Sequence, residues 1–291
     1  MTTFQLSPQH ELLLRGSPQL PVGLYQLQLA TAEQLTRIHY KPGTLKTVKA
    51  RLKQLVDQGY LVADSVPTRL FRSPYFYQLT DKALRYLATQ GMDTQEVSRP
   101  SGQHGTLFID HSLELNDVLI SAALLFKALP ALHLESFTHE QVLKRRPYKA
   151  KLPGGRTFTI IPDAFLDFRW MLSGKQLKTP LLLEHDRGTE QQQYFRRRIR
   201  AYITLLKTGD YVQLFGSKAL GVGFTTFLGD KRRDQLRAWT RAELELTHES
   251  TSLGKIFTFA SLQRPPAPLE VWTESRWRSP YDDAPQALLA G

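Results

Sequence analysis

Between Ala164 and Glu184, two runs rich in leucine and aromatic residues flank the dipeptide Ser173-Gly174. Turn formers between two such runs specify a β-hairpin, and a hairpin centred on that dipeptide sets Asp163 directly opposite Glu184. Side chains alternate faces along a strand, so Asp186 shares the Glu184 face if the strand runs that far. Cross-strand Cβ atoms stand roughly 5 Å apart, and like charges at that range repel unless a cation or a shared proton intervenes. This is the arrangement of a Mg²⁺ or Mn²⁺ site, with Asp163, Glu184 and Asp186 as candidate ligands. The plainer alternative is that Asp163 and Asp186 end strands in solvent. A one-residue bulge would also break the register.

A chain of 291 residues is long enough for two domains. Lysine and arginine number 38 against 27 acidic residues, for a net charge of +11, and nucleic acid is the commonest anionic partner of such a protein. The absence of cysteine excludes disulfides, thiolate-bound zinc and thiol catalysis. The most apolar run, Val118 to Phe126, is far shorter than the roughly 18 residues of a membrane span, and no signal peptide is evident. A cytoplasmic location without membrane partners is expected.

Residues 7–92 read as a winged helix-turn-helix domain. Thr31 and Gln34 form a capping-box pattern that opens a short helix to about His39. Lys41-Pro42-Gly43 makes a turn, and a further helix follows from about Thr44 to Gln58 with Leu45, Val48, Leu52 and Leu55 as its inward stripe. Its other face carries Thr44, Lys46, Thr47, Lys49, Arg51 and Lys53, donors suited to phosphates and base edges of double-stranded DNA. The bland alternative is a solvated helix face. Runs at Tyr60–Val62 and Tyr75–Leu79 read as the strands of a wing whose loop bears Arg69 and Arg72. Thr80-Asp81 starts another helix.

Residues 93–109 are dense in turn formers and read as a linker. A second domain over 110–262 opens with a long apolar helix from about Asp110, then a strand near Leu132 and a capping box at Thr138 to Gln141. The basic segment Lys144 to Lys151 is either a DNA-contacting loop or a solvated turn. After the hairpin, Thr189 to Gln192 caps a helix with the core stripe Phe195, Ile199, Tyr202, Ile203 and Leu206. On it, Arg196 and Arg200 are one turn apart and can reach the same anion. Strands near Tyr211–Phe215 and Leu220–Phe227, a helix from Asp230 and a strand near Ile256 complete the domain. The proline-rich tail 263–291 is expected to lack order of its own, apart from docking by Trp272 and Trp277.

The order helix, strand, strand with Pro162-Asp163, strand ending Glu184-His185-Asp186, helix, strand resembles the PD-(D/E)XK nuclease superfamily. That resemblance implies an α/β (α+β) chain with a restriction-endonuclease-like αβββαβ domain. It also implies metal binding by Asp163 and Glu184. Asp186 stands where the motif has lysine, and a carboxylate cannot supply positive charge to the transition state of hydrolysis; Arg196 or Arg200 could substitute. More narrowly, the chain resembles the replication-relaxation family of plasmids and other mobile elements. The residues concerned are His111 to Asp117, Ile161 to Ala164, Leu183 to Glu190, Ile199 to Tyr202 and Arg233 to Trp239. Relaxases of the familiar kind use a histidine-hydrophobic-histidine metal site with a nucleophilic tyrosine, and none of the eight histidines stands in that pattern. The expectation is a DNA-binding protein acting in replication, relaxation or mobilisation, with plasmid replication or mobilisation proteins and a second copy as further partners. The alternatives are a metal-dependent nickase using Asp163, Glu184 and Asp186, and a transcriptional repressor.

Overall fold

The computed structural model describes residues 19–65, 74–94, 105–129, 131–145, 147–151, 154–172 and 175–289. It is a mixed α+β chain that divides into two compact units, Met1–Ile120 and Ser121–Gly291.

The first unit contains α1 (Gln19–Leu27), β1 (Leu29–Thr31), α2 (Ala32–His39), α3 (Leu45–Asp57), β2 (Leu61–Ser65), β3 (Tyr75–Leu79), α4 (Asp81–Thr89) and the first turns of α5 (Thr106–Ala128). Its strands form an antiparallel sheet in the order β1-β3-β2. The capping box forms as expected: the Gln34 amide donates to Thr31 Oγ1 at 3.2 Å, and Gln34 Oε1 accepts from the Thr31 amide at 3.1 Å. Val48, Leu52 and Leu55 on α3 are fully buried, as their spacing requires. Thr80 caps α4 through its hydroxyl.

Polar side chains fasten α5 within this unit. Asn116 Nδ2 donates to the carbonyls of Leu27 and Leu29, and Gln34 Nε2 donates to Leu113 O and Asp117 Oδ1. Arg37 pairs with the same Asp117 at 2.6 Å. A buried polar group left without such partners would cost about 1–3 kcal/mol. The acidic end of the His111–Asp117 segment is thus a structural clasp. The division between the units falls inside α5, after Ile120, rather than in segment 93–109. Of that segment, 95–104 lie outside the described residues, and α5 starts at Thr106 rather than Asp110.

The second unit holds β4 (Leu132–His139), α6 (Glu140–Leu143), the hairpin β5 (Tyr148–Lys151) and β6 (Thr157–Ile160), β7 (Ala164–Leu172), β8 (Lys175–Asp186), α7 (Gln192–Thr208), α8 (Tyr211–Phe215), β9 (Gly221–Thr226), α9 (Asp230–Leu246), α10 (Thr251–Gly254), β10 (Phe257–Ser261) and α11 (Pro268–Trp272). Its main sheet runs β10-β9-β8-β7-β4, with β8, β9 and β10 parallel and β7 antiparallel to both neighbours. The β7–β8 register pairs Ala164 with Leu183 and Leu172 with Lys175, the register that places Asp163 opposite Glu184. Pro180 precedes the first residue of β8 that pairs with β9, Leu181. Among the described residues no helix is long and apolar enough to cross a membrane.

Three further expectations are corrected. Residues Tyr211–Phe215 form a short helix, not a strand, between Gly209 and Gly216; both glycines have positive φ, and those bends close the segment into one turn despite its β-prone residues. The α7 cap is Gln191, without a side-chain bond, instead of Thr189. The segment after Arg264 is ordered as a strap. Trp272 and Trp277 are fully buried, with indole N–H groups on Ser121 Oγ and Val271 O. Phe168 stacks on Trp272 at 4.9 Å. Burying one indole removes roughly 200 Å² from water, an upper bound on the order of 5 kcal/mol, which outweighs the polar composition around it. Gly223 makes room, since a Cβ there would meet Trp277 at 3.1 Å.

Candidate functional site

The sequence-predicted carboxylates meet where β8 leaves the hairpin. Asp163 Oδ2 accepts the His185 amide at 2.7 Å, continuing the hairpin by a side chain beyond its backbone ladder. Glu184 and Asp186 share the strand face that packs beneath α7 and α9, while His185 turns to the opposite face and meets Thr225 Oγ1 at 3.0 Å. The residues that Glu184 and Asp186 engage are Arg198, Tyr202 and Arg232, none assigned a site role from the sequence. Arg198 Nη1 donates to Glu184 Oε2 at 2.8 Å, Tyr202 Oη donates to Glu184 Oε1 at 2.5 Å, and Arg198 Nη2 donates to Glu190 Oε1 at 2.9 Å. Arg232 grips Asp186 with two parallel bonds of 2.7 and 2.8 Å and lies over the Trp239 ring. The Gly188 amide also donates to Asp186.

Arg196 and Arg200 point elsewhere. Their Nε groups donate at 2.9 and 2.6 Å to the two oxygens of Glu243 on α9, a fully buried side chain. The cause is helical phase. Arg198 and Tyr202 are four residues apart and share the sheet-facing side, whereas Arg196 and Arg200 lie on the side toward α9. Pairing of Arg198 with the stripe residue Tyr202 was the readable signal.

Electrostatics at the centre follow from burial. Desolvation pushes the Glu184 carboxyl up to about 8, against the opposing Arg198 guanidinium and with Asp163 adding repulsion. Burial also raises Glu190. Tyr202 is lifted well above the ordinary phenol range, first by burial and then by negative Glu184, so it serves as a neutral donor. Burial works to lower Arg198, yet Glu184, Glu190 and Asp163 hold it above its usual value. The hydrogen bonds to Asp186 raise Arg232.

Among the described residues no group of three or more histidine, aspartate or glutamate side chains is arranged to hold a metal ion. Glu184 and Asp186 instead direct their oxygens at guanidinium groups. The residues as placed do not fit a divalent ion.

On the first unit, α3 exposes Lys46, Thr47, Lys49 and Lys53, while Thr44 and Arg51 are half-buried. Lys49 pairs with Glu33 at 2.9 Å and Lys53 with Asp57 at 2.7 Å. Arg69 and Arg72 lie outside the described residues. In the second unit, Lys149 and Lys151 alternate with inward-facing residues on β5 and are exposed.

The fold and centre thus define an α+β protein with an arginine–carboxylate cluster at the carboxyl ends of parallel strands. The chain belongs to the replication-relaxation family, whose sequence profile matches residues 23–216. That span includes α3 and the centre as far as Tyr202, and ends before Arg232 and the strap. No curated protein and no solved structure matches the chain.

Proposed function

We propose that the chain is a DNA-binding protein of a plasmid or other mobile element, acting in its replication, relaxation or mobilisation. In this reading the first unit is a winged helix, with α3 as recognition helix in the major groove and β2–β3 as the wing. The second unit is a restriction-endonuclease-like module that grips DNA without cutting it. The observation that carries the reading is α3 itself. Val48, Leu52 and Leu55 of the inward stripe are fully buried, Leu45 is half-buried, and the opposite side presents Lys46, Thr47, Lys49 and Lys53 to solvent. Family membership and the net charge of +11 agree with it.

The test is duplex DNA binding measured against salt. Lys46→Ala combined with Lys49→Ala should weaken binding about tenfold at physiological salt and lower the salt slope by roughly two. Lys46→Ala alone should have the larger share, because Lys49 is already engaged by Glu33. An unchanged slope rejects α3 as the DNA-reading helix.

A hydrolytic reading with Mg²⁺ or Mn²⁺ has one observation in its favour, the mutual repulsion of Asp163 and Glu184 that a cation would relieve. It requires Arg198 and Arg232 to release their carboxylates first. Supercoiled plasmid incubated with Mg²⁺, Mn²⁺ or EDTA decides: metal-dependent nicking abolished by Glu184→Ala would establish a nuclease, and intact plasmid in every lane favours the binding reading.

A further inference from the structure

A second basic feature lies at the same end of the main sheet, outside the span matched by the family. A cavity of about 280 Å³ is lined by Asp230 and Arg233 from the first turn of α9, Ser261 from the end of β10, and Glu274, Ser275, Arg276, Arg278 and Pro285 from the strap. The strap builds its outer wall. Arg278 is brought there by backbone pairing with Phe259, its amide and carbonyl bonded at 3.0 Å each.

The three arginines are not equivalent. Arg233 is buried and spends its donors on Asp230 and Asp234. Arg276 pairs with Glu270, leaving its Nε buried without a partner. Arg278 makes no side-chain hydrogen bond or ion pair among the described residues, and its Nε is likewise buried and unpartnered. The carboxylate whose field it feels, Asp283, is held by Arg237 at 2.7 Å. A partly buried guanidinium with idle donors is costly unless something outside the chain accepts them.

We propose that this cavity binds a phosphodiester group of the DNA backbone, a reading that rests on the DNA-binding function above. Arg278 supplies the charge, Arg276 Nε a second donor, and the hydroxyls of Ser261 and Ser275 complete a set suited to a tetrahedral oxyanion. Asp230 and Glu274 also line the cavity, and their negative charge opposes a dianion more than the single charge of a diester. The position fits as well. Consecutive residues of α9 divide between the two features, Arg232 reaching Asp186 and Arg233 the cavity wall. A strand crossing the carboxyl ends of β8, β9 and β10 would therefore be held by a phosphate beside the carboxylate centre.

Arg278→Gln is a clean probe, since the wild-type side chain has no hydrogen bond or ion pair among the described residues and the fold should survive its loss. Three ligands are titrated into the full-length protein and the variant by calorimetry: inorganic phosphate, a short duplex without terminal phosphates, and the same duplex with 5′-phosphates. For a diester site, both duplexes should bind the variant about three- to tenfold more weakly with a salt slope lower by about one, and phosphate binding should be lost. A loss confined to the 5′-phosphorylated duplex would overturn the diester assignment in favour of a terminal phosphate. Equal binding of all three ligands by both proteins would overturn the site itself. If neither duplex binds the wild type while phosphate binding still depends on Arg278, the DNA reading fails and the oxyanion cavity stands.

Discussion

Two buried glutamates face α7 from different sides, and the helix treats them differently. Glu243 on α9 receives two arginines, Arg196 and Arg200, one on each oxygen. Glu184 on β8 receives one, Arg198, which it shares with Glu190, and completes its bonding with the neutral hydroxyl of Tyr202. The first is a fully compensated tie between two helices. The second leaves a desolvated carboxyl with its proton affinity raised, beside Asp163. Within one run, Arg196 to Arg200, alternate arginines therefore serve stability on one side and a chemically poised group on the other.

The contrast can be broken most forcefully at Glu243. Glu243→Gln leaves two guanidiniums facing a neutral amide and should cost about 3 kcal/mol in urea unfolding, the range for breaking one partner of a buried pair. At Glu184 a different result is expected. Its folded pKa of about 8 lies above the ordinary 4.5, so the folded protein keeps a proton that the unfolded chain releases between those values. The stabilisation from that proton is complete below 4.5 and is lost as pH rises toward 8. Glu184→Gln should flatten this decline in urea midpoints between about pH 5 and pH 9, and near pH 8 cost less than about 1 kcal/mol. A variant with the wild-type pH slope would remove Glu184 as its source. The smallest effect belongs to Arg200→Lys, where Arg196 remains on Glu243. A loss of about 1 kcal/mol is expected, and a loss as large as that of Glu243→Gln would show that the two arginines are not redundant.

Much of this framework was legible in the sequence, where local rules suffice. The Ser173-Gly174 dipeptide, itself outside the described residues, predicted the register that β7 and β8 adopt, and the Thr31 capping box set the start of α2. The stripe of Val48, Leu52 and Leu55 oriented α3. What escaped reading needed a neighbour. With four arginines in the five residues 196–200 and packing partners on two sides of α7, no periodicity says which arginine meets the sheet. Arg232 lies far along the chain from Asp186 and joins it only because β9 runs parallel to β8. The strap was misjudged because average composition hides two tryptophans, whose burial depends on Gly223 and Phe168 in distant strands.

Pro180 also constrains assembly of the sheet. Among the described residues, β8 pairs with β7 alone up to that residue, and from Leu181 onward it pairs with β9 as well. Proline offers no amide hydrogen, so β9 cannot slide toward the hairpin turn without losing a ladder bond. A foreign strand seeking the exposed margin beside Lys178 meets the same stop. One imino acid thus works as a molecular ruler: it fixes which residues of β9 lie beside Glu184 and Asp186, and it discourages edge-to-edge aggregation along the part of β8 that β9 leaves bare.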